Sequence, residues 1–208
     1  MPCVVENYND PILTFTHSAS SSSNLVTYTY TTVALGMESA DRRIIVAAHT
    51  DVGGGLLPIS AVVNGVSATL VVNRAGVGLF IADVPTGTSV TVTITFSGTA
   101  TRSAMGVWAI TGMSRPSPSF TNSNGGTGTS VTTSVAASKG EAVVAAISHA
   151  NTTGFTWSGG TERYDIANGN ATRMSGADTI ATSDTTAQSF TATAVNSAAW
   201  SAVSASFK

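Results

Sequence analysis

The residues with the greatest capacity for chemistry are two histidines and an aspartate near the ends of two apolar runs. His49 and Asp51 stand two positions apart after residues 44–48, so they are expected to share one face of a strand. His149 follows the corresponding run at residues 142–146. If the two strand ends meet, these side chains could bind a divalent metal or the hydroxyls of a sugar. We favour strand-end polar residues hydrogen-bonded to loops, because no partner spacing supports metal ligation.

Trp157 is a second candidate, as a ligand-binding aromatic residue. Together with Phe155 and Tyr164 it flanks the turn at residues 158–160, where an exposed indole could stack on a sugar ring. The favoured interpretation is again structural, because large aromatic side chains dominate sandwich interiors. Trp157 is therefore a weak candidate for a ligand site and a stronger candidate for the core.

Signatures of common catalytic sites are absent from the sequence. There is no Gly-x-Ser-x-Gly elbow, no His-Glu-x-x-His and no cysteine pair. Glu162 and Asp165 have odd spacing in a predicted strand, so they cannot face each other as glycosidase carboxylates do. The triplet at residues 53–55 precedes Leu56 and no helix or lysine, which favours a flexible loop tip over a phosphate loop. We expect no enzyme activity, no catalytic residue, no metal and no cofactor.

Composition argues against several classes of partner. Only 10% of the 208 residues are charged, against a usual share of about 25%, and the net charge is −2. The pair Arg42-Arg43 is flanked by Glu38 and Asp41, so we expect no nucleic-acid partner. No stretch approaches the apolar length of a membrane helix, and the N-terminus lacks the features of a signal peptide. The single cysteine, Cys3, is compatible with a reducing cytosol.

Alternation with a period of two residues predicts the fold class. Apolar residues alternate with serine and threonine over residues 89–96, and tyrosines alternate with threonines over residues 26–31. Asn64-Gly65 separates two further apolar runs and suits a type I′ hairpin. Short strands with turn signals every 8–12 residues are typical of sandwiches. We therefore predict an all-β fold, an antiparallel β-sandwich.

The chain also contains an internal repeat. Residues 33–48 have a counterpart in residues 135–146, and each half then has a hairpin-like middle and a threonine-rich strand. Each half closes on a strand with a tryptophan, Trp108 or Trp200, and we expect both indoles in the core. This pattern predicts two pseudo-repeated halves of about six strands each. It leaves open whether the halves form one sandwich or two.

The repeat and the loop signals together predict the organisation of the chain. Proline, glycine and small polar residues mark a break between the halves, and a serine-rich segment ends an N-terminal arm. Within the arm, residues 12–16 could add a strand, and deletion of the whole arm is expected to leave the sandwich folded. The predicted divisions are an arm at residues 1–24, a first half at 25–112, a linker or loop at 113–129 and a second half at 130–208.

With these stretches in view, the chain resembles the jelly-roll-like β-sandwich virion proteins of tailed bacteriophages. The resembling stretches are residues 41–46, the hairpin at 59–72, the turn at 84–87 and residues 108–112. They cover most of the first half, and the second half follows more loosely. The resemblance implies a capsid decoration or cement protein that binds the major capsid protein lattice. It also implies location in the virion, assembly in the host bacterial cytoplasm, and capsid or other virion proteins as partners, with a homo-oligomer allowed.

Two other functions remain as alternatives. A tail or fibre accessory protein belongs to the same class and would share the composition. A carbohydrate-binding β-sandwich module belongs to a different class, and a glycan is a less favoured partner than a virion protein. Carbohydrate binding predicts an exposed aromatic platform beside polar side chains, whereas decoration predicts a surface suited to protein contacts.

Overall fold

The computed structural model describes residues 10–169 and 172–208 of the chain. This part of the protein contains no helix, and 71% of residues lie in strands, which confirms the predicted all-β, antiparallel class. The described residues form fourteen strands: β1 (Ile12–Ser21), β2 (Leu25–Ala34), β3 (Arg43–His49), β4 (Pro58–Val63), β5 (Val66–Arg74), β6 (Val77–Asp83), β7 (Ser89–Ala100), β8 (Ser103–Thr111), β9 (Phe120–Ala137), β10 (Ala142–His149), β11 (Phe155–Ser158), β12 (Thr161–Asn168), β13 (Thr172–Ile180) and β14 (Thr185–Phe207).

The first eight strands form one antiparallel sheet that folds back on itself at β5. Its order is β1-β8-β3-β6-β5-β4-β7-β2. Residues 66–68 of β5 pair with β4, and residues 69–74 pair with β6, so β5 belongs to both arms of the sheet. The arms enclose an apolar core that includes Tyr28, Ile44, Phe80, Phe96 and Val107. We call this sandwich the first unit.

The other six strands form a second unit in which β9 and β14 each run through two layers. Residues 185–193 of β14 pair with residues 130–137 of β9. After a register shift between Thr193 and Ala198, the rest of β14 pairs with residues 120–128. The second sheet has the order β11-β14-β10-β13-β12, with β9 against β14. The bent strands enclose the cores of the second unit: Val131, Val135, Ala137, Val143, Ala145, Ile147, Phe155, Ala177, Ala181, Phe190, Ala192, Ala194, Trp200 and Ala202.

The two units share one pairing order once β9 and β14 are divided at the register shift. The first part of β9 corresponds to β1 and its second part to β2, while the two parts of β14 correspond to β7 and β8. Strands β10 to β13 correspond to β3 to β6. Within the described pairs, only the β4–β5 pairing has no counterpart between β11 and β12. Each unit therefore has eight strand segments, where the repeat in the sequence predicted about six.

Backbone hydrogen bonds place the corresponding residues of the two units. Arg42 N donates to Ser39 O, and Glu141 N donates to Ser138 O, both at 3.0 Å. The carbonyl of Arg42 accepts from Val84 N, just as the carbonyl of Glu141 accepts from Ala181 N. Arg42 thus corresponds to Glu141, and counting along the two strands pairs His49 with Ser148.

Two of the strand segments that the sequence repeat did not predict lie where an arm and a linker were predicted. Residues 12–21 form β1 and pair with β8 along their whole length, so most of the described part of the arm belongs to the sheet. Residues 120–128 form the start of β9, although their glycine and asparagine content is typical of loops. The glycines serve close packing there. A Cβ at Gly125 would lie 2.3 Å from Nε of Arg74, and one at Gly126 would lie 3.2 Å from the ring of Trp200.

Removing residues 1–24 is therefore expected to destabilise the protein instead of leaving the sandwich intact. The truncation deletes the β1–β8 pairing and the Phe15 ring, which packs edge-on against Trp108 at 5.4 Å. We expect a loss of at least about 3 kcal/mol in the free energy of unfolding, measured by urea denaturation. A truncation of residues 1–9 keeps β1 and serves as the control. Equal stability of the two truncations would contradict the role of β1.

The units form two sandwiches that share a third apolar core. The outward face of β3, β6 and β8 packs against the corresponding strands of the second unit, with Tyr164 between them. The shared core contains Ile45, Ala47, Val77, Leu79, Ile81, Trp108, Ile110, Ala142, Val144, Ala146, Tyr164, Val203, Ala205 and Phe207. Because like strands meet face to face, the arrangement is that of an approximate twofold dimer within one chain. The result is a stack of four sheet layers.

Candidate functional site

His49 lies at the centre of a buried polar chain between the two units. Its Nδ1 is 3.1 Å from Oγ of Ser148, and its Nε2 is 2.6 Å from the hydroxyl of Tyr164. Ser148 donates its own hydroxyl hydrogen to the carbonyl of Gly76 at 2.8 Å. These partners assign the tautomer: Nδ1–H donates to Ser148, and Nε2 accepts from Tyr164. Since His49 and Ser148 occupy corresponding positions, the approximate twofold axis passes between them.

The environment keeps these hydrogen-bonded side chains neutral and shielded from solvent. Burial lowers the pKa of His49 to about 3 and raises the pKa of Tyr164 well above its ordinary value. A serine bonded to a histidine is the arrangement of an activated nucleophile. Here, however, His49 and Ser148 have no solvent-exposed surface, and Tyr164 is only 6% exposed. A substrate cannot reach these groups, so the geometry supports a structural link that holds the units in register.

Two glycines make room for Tyr164 at this junction. A Cβ at Gly106 would lie 2.1 Å from the tyrosine ring, and a Cβ at Gly176 would lie 2.5 Å from it. The ring also stacks on Phe15 at 5.8 Å with an interplanar angle of 17°. Strands β8 and β13 therefore leave space for the Tyr164 side chain of β12, and Phe15 of β1 packs over it. This tight fit aims the hydroxyl at His49.

The junction predicts a specific dependence of stability on pH. His49 is neutral in the folded protein down to about pH 3, whereas an unfolded histidine binds a proton below about pH 6.5. Stability from this group is thus complete above pH 6.5 and is lost as the pH falls towards 3, by about 1.4 kcal/mol per pH unit. Burial also lowers the pKa of His149, which adds a loss of the same sign.

Urea unfolding at pH 7, 6, 5 and 4 measures this dependence. The control is His49→Gln, which removes the titrating group and keeps a polar side chain. We expect the variant to be less stable at pH 7. We also expect its free energy of unfolding to change less steeply with pH, because unfolding of the variant takes up as much as one proton fewer than unfolding of the natural protein. Parallel pH profiles for the variant and the natural protein would show that His49 is not the titrating group.

Asp51 lies beyond the end of β3 and takes no part in the His49 chain. Its carboxylate accepts hydrogen bonds from the hydroxyls of Thr101 and Thr172, and Nε of Arg102 lies 3.0 Å away. Thr172 belongs to the second unit, so Asp51 forms another link between the units. It borders an open groove of about 380 Å³ that is also lined by Leu56.

His149 points away from His49, into the second unit. Its ring meets Phe155 edge-on at 5.5 Å, and its Nε2 is 3.3 Å from the carbonyl of Gly128. The strand ends do approach, as the repeat suggested, but consecutive residues point to opposite faces and Ser148 takes the inward position. The structure therefore does not bring His49, Asp51 and His149 together. Among residues 10–169 and 172–208, no three His, Cys, Asp or Glu side chains are grouped to hold a metal.

Trp157 lies on the inner face of β11. Its ring meets Phe190 edge-on at 6.4 Å, and its Nε1 donates to Oγ of Ser175 at 2.9 Å. The side chain is half-buried and packs against both cores of the second unit. The residue therefore closes one end of the sandwich and does not offer a flat ring to solvent.

A second buried polar contact joins the units and was not anticipated from the sequence. Trp108 Nε1 donates to Oδ2 of Asp178 at 2.6 Å, and Arg163 makes a two-bonded ion pair with the same carboxylate. Asp178 is almost fully buried, and it occupies the position that corresponds to Ile81 in the first unit. No spacing in the sequence signals this contact, because its members lie far apart along the chain.

The two outermost layers of the stack present hydroxyl-bearing side chains to solvent. Hydroxyl face one lies on β2, β4 and β7 and is defined by Thr27, Thr29, Thr31, Ser60, Thr91, Thr93 and Thr95; the apolar side chains of Leu25, Val26 and Ile59 on the same strands are also exposed. Hydroxyl face two lies on the second part of β9, β11 and the first part of β14 and consists of Ser130, Thr132, Ser134, Thr156, Ser158, Ser189, Thr191 and Thr193. The two faces lie on corresponding strands at opposite ends of the stack.

Neither face contains an ionisable side chain. The strands β2, β4, β7 and β11, with residues 130–137 and 185–194, include no Asp, Glu, Lys or Arg. Each face has a cross-strand contact between threonine hydroxyls. The Oγ1 atoms of Thr27 and Thr95 are 3.1 Å apart, and those of Thr132 and Thr191 are 3.3 Å apart. Because threonine is stiff at χ1, these arrays are already ordered in the free protein.

Comparison with known proteins gives no assignment. No protein-family model and no curated protein matches the chain. Among solved structures, the conserved protein of unknown function PA5104 from Pseudomonas aeruginosa PAO1 is 13% identical with a TM-score of 0.26; the alignment covers 95% of this chain and 82% of that one. The PBSX exported protein XepA is 9% identical with a TM-score of 0.26, over 94% of this chain and 86% of that one. Likenesses this weak carry no argument about function. In the described residues, no helix could cross a membrane.

Proposed function

We propose that the protein is a non-catalytic structural component of a virion, and specifically a decoration or cement protein that binds the major capsid protein lattice. The observation that supports this proposal is the pair of uncharged hydroxyl faces on the outer layers. Binding through such a face leaves no charge buried without a partner, which would cost several kcal/mol. The sequence resemblance to virion β-sandwich proteins of tailed bacteriophages points in the same direction.

The internal construction also suits a structural role. Polar links between the units are centred on the buried His49 and Asp178 and on the partly exposed Asp51, and an apolar core lies beside them. These contacts are expected to hold the two outer faces in a constant relative position. A rigid body loses little conformational entropy when it binds to an ordered lattice.

A tail or fibre accessory protein remains the nearest alternative, because it would use the same kind of surface. A carbohydrate-binding module has less support. Trp157, the aromatic candidate for a sugar platform, lies on the inner face of its strand, and the hydroxyl faces contain no aromatic side chain. Sugar recognition normally relies on an exposed ring beside polar groups.

The test is attachment of the purified protein to phage particles. Tail-less capsids and whole virions from a bacteriophage lysate are separated on a density gradient and mixed with the protein. We expect it to sediment with both particles in a fixed ratio to the major capsid protein. Attachment to virions but not to tail-less capsids would indicate the tail or fibre role. Binding to neither, together with saturable binding on a glycan array, would overturn the proposal.

A further inference from the structure

We infer that hydroxyl faces one and two form a matched pair of docking surfaces, so that one copy of the protein bridges two copies of the same partner. The partner is a repeating protein surface whose contact patch is uncharged and hydrogen-bonding. This inference rests on the proposed function and specifies how attachment occurs. It follows from three features of the stack: the correspondence of the faces, their size and their separation.

The same surface chemistry occurs on corresponding strands of both units. The two units have diverged in their buried polar residues: His49 corresponds to Ser148 at the junction between the units, and Arg42 corresponds to Glu141 inside each unit. The outer layers differ in sequence as well, yet both present serine and threonine, both exclude charge, and both have a bonded threonine pair. Two surfaces with one chemistry on corresponding strands suit two copies of one partner.

The partner chemistry follows from what the faces can offer. A charged partner surface would lose its hydration and find no opposite charge on strands that contain none. A sugar would find no aromatic ring to stack on. Hydroxyls both donate and accept hydrogen bonds, and their threonine methyl groups add small apolar contacts. The best match is therefore another uncharged protein surface of hydroxyl, amide or backbone groups.

The size of each face makes single-site attachment weak. The hydroxyl-bearing stretches of these strands span about five residues, and three such stretches about 4.8 Å apart cover roughly 250 Å². A stable protein interface buries about 800 Å² on each partner. One face is thus too small to hold the protein on its own. Two faces that bind together raise the overall affinity by about 10²–10⁴, because the second contact forms within the same complex.

The separation of the faces defines where the protein can sit. Stacked sheets lie about 10 Å apart, so four layers place the outer faces about 30 Å from each other, pointing in opposite directions. A copy that uses both faces must lie between two partner patches that face each other. It is thus a spacer between neighbouring subunits of a lattice, and it does not lie flat upon one of them.

Paired lysine variants test the bridge on the particles described above. Face one is changed by Thr29→Lys with Thr91→Lys, and face two by Thr156→Lys with Thr193→Lys; all four positions are exposed. Thr121→Lys with Thr127→Lys, on the first part of β9, adds the same charge to exposed positions outside both faces. Circular dichroism and thermal midpoints establish that each variant is folded. Dissociation constants for capsid are then measured by sedimentation.

We expect either face variant to weaken attachment about 100-fold or more, the combined variant to abolish it, and the control to bind like the natural protein. If only one face variant weakens binding, attachment is single-sited and the bridge is wrong. If neither does so while the natural protein still binds, the bridge fails and the decoration role stands. If the natural protein does not bind particles at all, the proposed function fails, and the bridge fails with it.

Discussion

Replacement of Trp108 by alanine is expected to lower the free energy of unfolding by about 3–5 kcal/mol, the range for large buried aromatic side chains. Trp108 has no exposed surface and lies in the core shared by the two units. It contacts Phe15 and Tyr164, and its Nε1–H is bonded to the buried carboxylate of Asp178. The alanine substitution removes packing between the two units and the hydrogen bond that the indole donates to the Asp178 carboxylate.

Urea denaturation of Trp108→Ala and Trp108→Phe separates these two contributions. Phenylalanine keeps much of the apolar contact but cannot donate to Asp178, which retains only its ion pair with Arg163. We expect an intermediate loss for the phenylalanine variant, about 1–3 kcal/mol. A loss under about 1 kcal/mol for the alanine variant would contradict the placement of Trp108 in the shared core.

Replacement of Arg42 by methionine is expected to lower the free energy of unfolding by about 3–5 kcal/mol, because several buried carbonyls lose their donor at about 1–3 kcal/mol each. Arg42 is only 1% exposed, and the five N–H groups of its guanidinium lie within hydrogen-bond distance of six backbone carbonyls: those of Leu35, Gly36, Met37, Val84, Thr86 and Gly87. One side chain thereby joins the loop after β2 to the turn before β7. Methionine leaves these acceptors without a donor.

The neighbouring arginine is a matched control. Arg43 pairs with Asp83, whose side chain is 76% exposed, and donates to one backbone carbonyl, that of Arg115, so Arg43→Met is expected to cost less, about 1–2 kcal/mol. Arg42→Lys should fall between the two, since an ammonium has three donors for six carbonyls. Chemical denaturation of the three variants gives the order. Equal losses for Arg42→Met and Arg43→Met would show that the carbonyl cluster contributes little.

The fold class could be predicted from sequence because alternation is a local signal. In β7, Val90, Val92, Ile94 and Phe96 all point into the core while the intervening serine and threonine residues face outwards, as the pattern predicted. The start of β9 could not be predicted in the same way. Its glycines resemble a loop locally, and their reason for being in a strand lies in distant partners such as Arg74 and Trp200.

The candidate site also contains one part that the sequence could predict and one part that it could not. The repeat allowed an arrangement in which the strands ending near His49 and His149 meet, and the structure has this arrangement. The residue that meets His49 is Ser148, because inward and outward positions alternate and the alignment of the two halves was one residue out of phase. Tyr164 joins them from β12, and a contact between residues so far apart in the sequence has no local signature.

The meeting of like strands at the shared core has a consequence for synthesis on the ribosome. The first unit is complete once β8 has emerged, whereas the second unit needs β14, almost one hundred residues later. At roughly 5–20 residues per second, the first unit waits about 5–20 s with an apolar face uncovered. That face includes Ile45, Leu79 and Trp108. This face is complementary to the corresponding face of the second unit. Two nascent chains on one polysome therefore offer each other a competing partner, and the rate of translation affects whether the two units of one chain pair with each other.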